Sequence, residues 1–365
     1  MYLNHISRSF LALIIVGFGV IFGAFGGGMQ SAAAAEMLDQ PSAANRSFSI
    51  WLSEFQNKAL RNGIRAATLQ SAFDQIQPIA RIIELDQKQP ERTPMGFETY
   101  LRKIITQNRI DGGRENYAAY HEMLKRTARG YGVPAEVIVA LWGLETSYGA
   151  NTGGFDVIAA LATLAWEGRR RSYFENELME ALMILQNGHV ERAEFRGSWA
   201  GAMGQNQFMP SSWKRFAVDE NGDGHKDIWE SEGDVFASSA NYLSQNGWNP
   251  AFKWGWQVVG FENIPTSYIE QKSKFTLAQW QKMGVRIRGS DDARAGARLG
   301  NLALRLVVPQ GGNGRGYLVT SNFDVIRTWN KSDYFALTVG ILSDLVARQP
   351  SPQGRADSGV SGYNP

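Results

Sequence analysis

The stretch that most constrains this chain is Ala140-Leu-Trp-Gly-Leu-Glu145-Thr-Ser-Tyr-Gly149, an apolar run carrying a single carboxylate before it meets a glycine. Pro134 suits the start of a helix, where its missing N–H costs nothing. Val137, Ile138, Leu141 and Leu144 recur at three- and four-residue spacing and define one buried helical stripe. Glu145 sits one position past that stripe, with Gly149 as the expected stop. A carboxyl placed there is poorly solvated and close to the negative end of the helix dipole. Both effects disfavour the anion and raise the pKa, as a general acid requires. An acid near a helix end is also an ordinary structural residue, so the rest of the chain must decide.

Composition removes several classes of function. At 365 residues with 44% apolar and 20% charged side chains, the chain is globular with a sizeable core. Its 37 basic and 35 acidic residues give a formal +2, far from a nucleic-acid footprint. Without cysteine, disulfides, thiolate metal sites and thiol catalysis are excluded, and four scattered histidines make no zinc site. Eleven Trp and 12 Tyr supply flat amphipathic rings of the kind that stack on sugars or fill cores.

At the N-terminus His5 and Arg8 precede an apolar run from Phe10 to Phe25, and Ala33-Ala34-Ala35 offers a small-residue cleavage site. Residues 1–35 therefore read as an export signal that delivers the protein to the periplasm; an uncleaved membrane anchor is the alternative. No cysteine follows to carry a lipid. Residues 36–47 form a polar lead-in, 48–348 the folded domain, and 349–365 a Pro-, Gly- and Ser-rich tail expected to be disordered.

Within the domain, helical spacing is expected from Phe48 past Leu60, over 66–73, 100–106, 116–131, 156–166, 173–186, 211–217, 234–246 and 334–347. Gly197 to Pro210 is rich in glycine and small residues, a segment that brings backbone close to something and leaves N–H groups as donors. From about 254 to 320 the character changes. Leu302, Leu304, Leu306 and Val308 alternate, Gly311–Gly314 supplies a turn, and Tyr317–Thr320 follows, so a small β-subdomain is expected, with a short helix near 277–283. The fold class is α+β, mainly α.

Asp219-Glu-Asn221-Gly-Asp223-Gly224-His225-Lys-Asp227-Ile-Trp-Glu230 fits an EF-hand loop position by position. Asp219, Asn221 and Asp223 would offer side-chain oxygens, His225 its carbonyl, and Glu230 would close the shell around a structural calcium ion. A metal-free Asx-rich turn is the alternative. A solitary loop argues against a calcium sensor.

Leu144-Glu145-Thr146-Ser-Tyr-Gly149, Gly201-Ala-Met-Gly204 leading to Gln207-Phe-Met-Pro-Ser-Ser-Trp213, and Asp223-Gly-His225 followed by Ala240-Asn-Tyr-Leu243 and Gly247-Trp248 resemble the membrane-bound lytic murein transglycosylase B family. The likeness runs from about Phe48 to Ala347, in the manner of a soluble, non-lipidated member. It implies a lysozyme-like helical catalytic core with an EF-hand-like loop. It also implies cleavage of the β-1,4 bond between N-acetylmuramic acid and N-acetylglucosamine, leaving a 1,6-anhydro end. By this resemblance Glu145 is the catalytic acid/base, and Ser198, Gln207, Phe208, Tyr242, Tyr100 and Asn330 line the sugar site. Gln205 departs from the pattern, where an aromatic or apolar residue is expected, and Phe335 replaces a tyrosine. Asp234 takes the place of the last calcium ligand, in competition with Glu230. The expected partner is peptidoglycan, with no nucleic acid and no cofactor for chemistry; cell-wall machinery proteins are further candidates, and the chain is expected to be monomeric.

The residues suit that chemistry. An ordinary glycosidase uses two carboxylates, and no second acid has a placement comparable to Glu145; Asp156 and Glu167 lie on later turns. A single carboxyl that acts first as acid and then as base suits a reaction whose nucleophile belongs to the substrate. Arg169-Arg170-Arg171 could meet peptide carboxylates or be a solvated patch, and Trp142 and Trp199 belong to core or groove. The competing readings are a muramidase that uses water on the same bond and a non-catalytic peptidoglycan-binding protein.

Overall fold

The computed structural model describes residues 48–88, 95–289, 299–309 and 314–348. The export segment, the lead-in, the tail and most of the expected 311–314 turn lie outside them. The chain opens with α1 (Phe48–Arg61), α2 (Ala66–Phe73), α3 (Ala80–Gln87) and α4 (Phe97–Ile104). Then come α5 (Gln107–Ala119), α6 (His121–Tyr131) and α7 (Ala135–Thr146). The span expected as one helix over 116–131 is broken at Tyr120, which caps both α5 and α6.

α7 is the axis of the molecule. It packs against α5, α6 and two helices from later in the chain, and every residue from Val137 to Gly143 is buried. A helix apolar all round belongs in a core, and this one starts directly after Pro134. It ends earlier than the glycine signal suggests. Ser147, Tyr148 and Gly149 all adopt positive φ (51°, 62° and 82°), so the left-handed cap falls on a serine. Tyr148 is held there because its ring fills a slot over Gly143, where a Cβ would come within 2.5 Å of it. Its hydroxyl donates to the carbonyl of Arg109 at 2.6 Å.

Beyond α7, β1 (Phe155–Asp156) pairs with β2 (Arg196–Gly197), and between them α8 (Val157–Glu167) and α9 (Arg171–Gln186) form an antiparallel pair. α10 (Pro210–Phe216) and α11 (Glu232–Gln245) flank the acidic loop. The small subdomain then follows: β3 (Gly255–Val259), α12 (Thr266–Glu270), β4 (Lys274–Phe275), α13 (Leu277–Lys282), β5 (Arg286–Ile287), β6 (Leu304–Val307) and β7 (Gly316–Val319). Its strands make an antiparallel sheet in the order β4-β6-β7-β3-β5. This sheet has its own core around Trp280, Leu304, Leu306 and Leu318, separate from the large helical core. Trp280 is fully buried, with its indole N–H on the Leu304 carbonyl at 3.0 Å.

α14 (Ser321–Trp329) was not expected from the sequence, and α15 (Asp333–Ala347) returns along α7. The sheet fixes where α14 begins. Thr320 caps it and donates to the Lys253 carbonyl at 2.7 Å, while the buried Asn322 amide bridges Asn249 and Phe252. Arg305 of β6 meets Asp324 of α14 at 2.6 Å. The β-subdomain thereby determines where the far end of α14, Trp329, arrives.

Candidate active site

Glu145 is the penultimate residue of α7 and Trp329 the last of α14, and the two meet. The Trp329 Nε1–H donates to Glu145 Oε1 at 2.9 Å. Burial pushes the Glu145 pKa up to about 8, against a weaker opposing pull from that hydrogen bond. The surroundings explain the direction: an apolar helix, and two helix C-termini whose dipoles both disfavour a nearby anion. An indole is a donor only, so Trp329 orients the carboxyl without competing for its proton. Part of the Glu145 surface stays accessible. Glu177 is another buried carboxyl with a raised pKa, but it is closed off by Ser211, whose N–H and hydroxyl bond to it at 2.9 and 2.7 Å.

An aromatic wall adjoins this carboxyl. The Trp329 ring lies 5.2 Å from Phe208 and 4.7 Å from Tyr242, and Tyr242 donates its hydroxyl to the Thr328 carbonyl at 2.7 Å. Tyr100, on α4, packs on Tyr334, and its phenol is pushed up to about 12 by burial and then by the Glu145 charge. Arg109 also acts on Tyr100; its guanidinium is held down by burial and donates to the Ser147 hydroxyl. Among the described residues no carboxylate pairs with Arg109. Asn330 follows Trp329, its side-chain oxygen accepting from the Ser332 N–H at 3.0 Å. Gln207 sits at φ 52°, a strained conformation for a side-chain-bearing residue, and its amide donates to the Thr152 and Gly204 carbonyls.

The structure thus gathers Glu145, Phe208 and Tyr242 around Trp329, sets Asn330 next to it in sequence, and brings Tyr100 within electrostatic reach of Glu145. Ser198 differs from expectation. It is fully buried and its hydroxyl accepts from the Ala202 N–H at 3.0 Å, so here it holds the glycine-rich loop instead of facing a sugar. The donors of that loop are likewise turned inward: Gly201, Met203, Gln205, Gln207 and Phe208 all spend their N–H groups on internal carbonyls. The close approach implied by its glycines is to the protein itself; a Cβ on Gly204 would lie 2.5 Å from the Ile228 carbonyl.

Gln205 is buried beneath the site, accepting from the Trp142 indole at 2.7 Å and donating to the Trp229 carbonyl at 2.8 Å. Phe335 is buried at the start of α15. Trp142 and Trp199 are core residues. Arg169 and Arg170 both clamp the buried Asp86, so this part of the basic run is structural. Asp156 caps α8 and pairs with Arg192 at 2.6 Å, and Glu167 accepts from the Arg169 N–H; neither is free to assist Glu145. Sequence reasoning missed Trp329 as the partner of Glu145, although it stands directly before Asn330 in the chain.

The acidic loop is folded by its own hydrogen bonds. Asp219 accepts from Gly222, Asp223 and Gly224, while Asn221 and Asp223 each cap an N–H two residues on. His225 meets the Gly188 carbonyl through its ring. Asp234 is fully buried and takes the Glu220 and Asp227 N–H groups at 2.9 and 2.8 Å; it closes the loop, whereas Glu230 is exposed. Among the described residues no group of three or more acidic or histidine side chains is arranged to hold a metal. The EF-hand shell expected from the sequence is not assembled in this arrangement.

Fold and site together define a lysozyme-like, mainly helical domain with a small antiparallel sheet and one carboxyl of raised pKa beside an aromatic wall. Residues 47–344 match the transglycosylase SLT domain, and the chain belongs to that family. It is 32% identical over 302 residues to the membrane-bound lytic murein transglycosylase B of Escherichia coli K12, covering 79% of this chain and 80% of the relative. SltB3 of Pseudomonas aeruginosa, solved in complex with NAG-anhNAM-pentapeptide, is 39% identical with a TM-score of 0.77, over 82% of this chain and 79% of that one. Escherichia coli Slt35, solved in complex with calcium, is 30% identical with a TM-score of 0.70, over 83% and 94%.

Proposed function

We propose that this chain is a peptidoglycan lytic transglycosylase that cleaves the MurNAc-β-1,4-GlcNAc bond with Glu145 as its one acid/base. The observation that carries this reading is the buried Glu145 carboxyl, its pKa pushed up to about 8 and its Oε1 accepting from a donor-only indole. Protonated Glu145 gives its proton to the glycosidic oxygen as the bond to C1 breaks. The carboxylate so formed takes the proton of the muramyl C6 hydroxyl, whose oxygen closes on C1. No water is consumed, and Glu145 ends as it began. The anhydro-muramyl ligand of SltB3 supports this product.

Tyr242 and Trp329 offer flat faces to sugar rings, with the buried Phe208 backing both, and Tyr100, Gln207 and Asn330 offer polar groups around them; Ser198 acts by holding the loop. The catalytic domain spans 48–348, and an extracytoplasmic substrate accords with the export segment read at 1–35. Calcium binding is proposed for the Asp219–Asp234 loop. Its carboxylate and amide oxygens are of the kind calcium prefers, and Slt35 was solved with that ion; binding would require those oxygens to exchange backbone N–H groups for the metal.

The test is mass spectrometry of muropeptides released from purified sacculi by the protein and by Glu145→Gln. Anhydro-muramyl products from the wild type alone are expected. Reducing-end products would make it a muramidase, and sacculi bound but never cleaved would make it a binding module.

A further inference from the structure

A surface cavity of about 380 Å³ opens at the opposite end of α7 from Glu145. That volume lies within the ~300–1,000 Å³ range of small-ligand sites. Its lining includes Lys125 and Arg129 of α6, with His121 beside them, spaced four residues apart and so aligned along one side of that helix. The floor is apolar and includes Tyr117 and Pro250. Glu136, in the first turn of α7, also lines it.

The charges of this lining are poorly neutralised from within. Lys125 reaches only the exposed Glu122, at 3.9 Å. Arg129 contacts only a backbone carbonyl, and Glu136 has no cationic partner among the described residues. Burial and the neighbouring Asp344 hold the Glu136 carboxyl above its ordinary range, as expected of an acid lacking a counter-charge. A lining that combines two cations, one acid and apolar surface complements a short chain bearing both carboxylate and ammonium groups.

We propose that this cavity binds a peptide carrying free carboxylates and an amine, its carboxylates on Lys125 and Arg129 and its amine on Glu136. The choice of a peptide rests on the peptidoglycan reading above, since that polymer carries such peptides on its glycan. The nine helical steps from Glu136 to Glu145 span about 14 Å of helix. Peptide recognition is therefore set apart from bond cleavage but rigidly linked to it, and a second strand could be held behind the one being cut.

The experiment is calorimetric titration of the full chain with a glycan-free pentapeptide bearing free carboxylates and one amine, and with its fully amidated counterpart. The acidic peptide should bind and the amidated one at least tenfold more weakly. Lys125→Glu/Arg129→Glu, on an exposed face, should weaken the acidic peptide at least tenfold with an unchanged melting temperature. Glu136→Gln should erase the preference for a free over an acetylated amine. Equal binding of both peptides, undiminished binding by the double variant, or no binding to the wild type overturns the proposal. Charge-dependent peptide binding by a protein that leaves sacculi intact would sink the enzymatic reading alone, whereas cleavage without peptide binding would sink this inference alone.

Discussion

The Trp329 indole and the Glu145 carboxyl, 184 positions apart in sequence, join at 2.9 Å and bring two helix C-termini to one acid. The approach depends on the β-subdomain, because β7, Thr320 and Asn322 fix the start of the helix that ends at Trp329. A sheet with its own core thus sets the orientation of a carboxyl in the helical core.

Trp329→Phe should therefore act on the acid itself. The indole bond favours the carboxylate and pulls the pKa down, so its removal should move the alkaline limb of the pH–rate profile to higher pH. Hydrogen bonds to charged groups are worth ~1.5–3 kcal/mol, so kcat should fall by roughly one to two orders of magnitude. A loss of rate with an unmoved alkaline limb would reduce Trp329 to packing.

Glu145→Gln should abolish turnover by at least the ~10²–10⁴-fold typical of an acid–base group, and should also change how stability varies with pH. The folded pKa of about 8 lies above the ordinary 4.5. Below pH 4.5 the carboxyl is protonated folded or unfolded, and above 8 it is ionised in both. Between those values only the unfolded chain releases the proton, so the wild type loses stability as pH rises. Thermal melts should show the glutamine variant gaining on the wild type from pH 4.5 to 8 and holding that gain above. A constant difference across this window would mean that the carboxyl is not so perturbed.

Much of this was legible in the chain. The Glu145 helix shows its apolar spacing, and the Leu302–Val308 alternation marks a strand. α14 was not legible: Ser-Asn-Phe-Asp-Val-Ile-Arg-Thr-Trp is short and half polar, and its helix is secured by the Thr320 cap and by Asn322 reaching 70 residues back. β3 was missed because Gly-Trp-Gln-Val-Val alternates weakly and gains its place by pairing on both edges. Ser198 and the loop donors misled because a glycine-rich segment announces close approach without saying whether a ligand or the protein itself fills the space.

Gln205 illustrates the same limit, and it can be tested. It stands where the resemblance expects an aromatic or apolar residue, and its amide ties Trp142 to Trp229 in the core. Gln205→Leu leaves an indole N–H and a carbonyl unpaired, each costing ~1–3 kcal/mol. The melting temperature should fall by several degrees, at about 2–4 °C per kcal/mol for a domain of this size. KM for glycan should stay within about twofold. A large rise in KM with unchanged stability would return Gln205 to the sugar site.

Asp234 decides the nature of the acidic loop. Burial raises its pKa, and the charges of Asp219 and Asp223 raise it further, while the Glu220 and Asp227 N–H groups pull it down. A divalent cation would reverse the repulsion, so calcium should raise the melting temperature, by ~2.7 kcal/mol of added stability at a hundredfold excess over Kd. The rise should disappear in Asp219→Asn/Asp223→Asn, which removes two negative charges and also one of the two Asp219 oxygens that accept backbone N–H groups. Asp234→Ala should destabilise the protein even with calcium absent, because two backbone N–H groups lose their buried acceptor. If calcium shifts neither the wild type nor the double variant while Asp234→Ala still melts early, the loop is a hydrogen-bonded latch, and its likeness to an EF-hand is one of sequence alone.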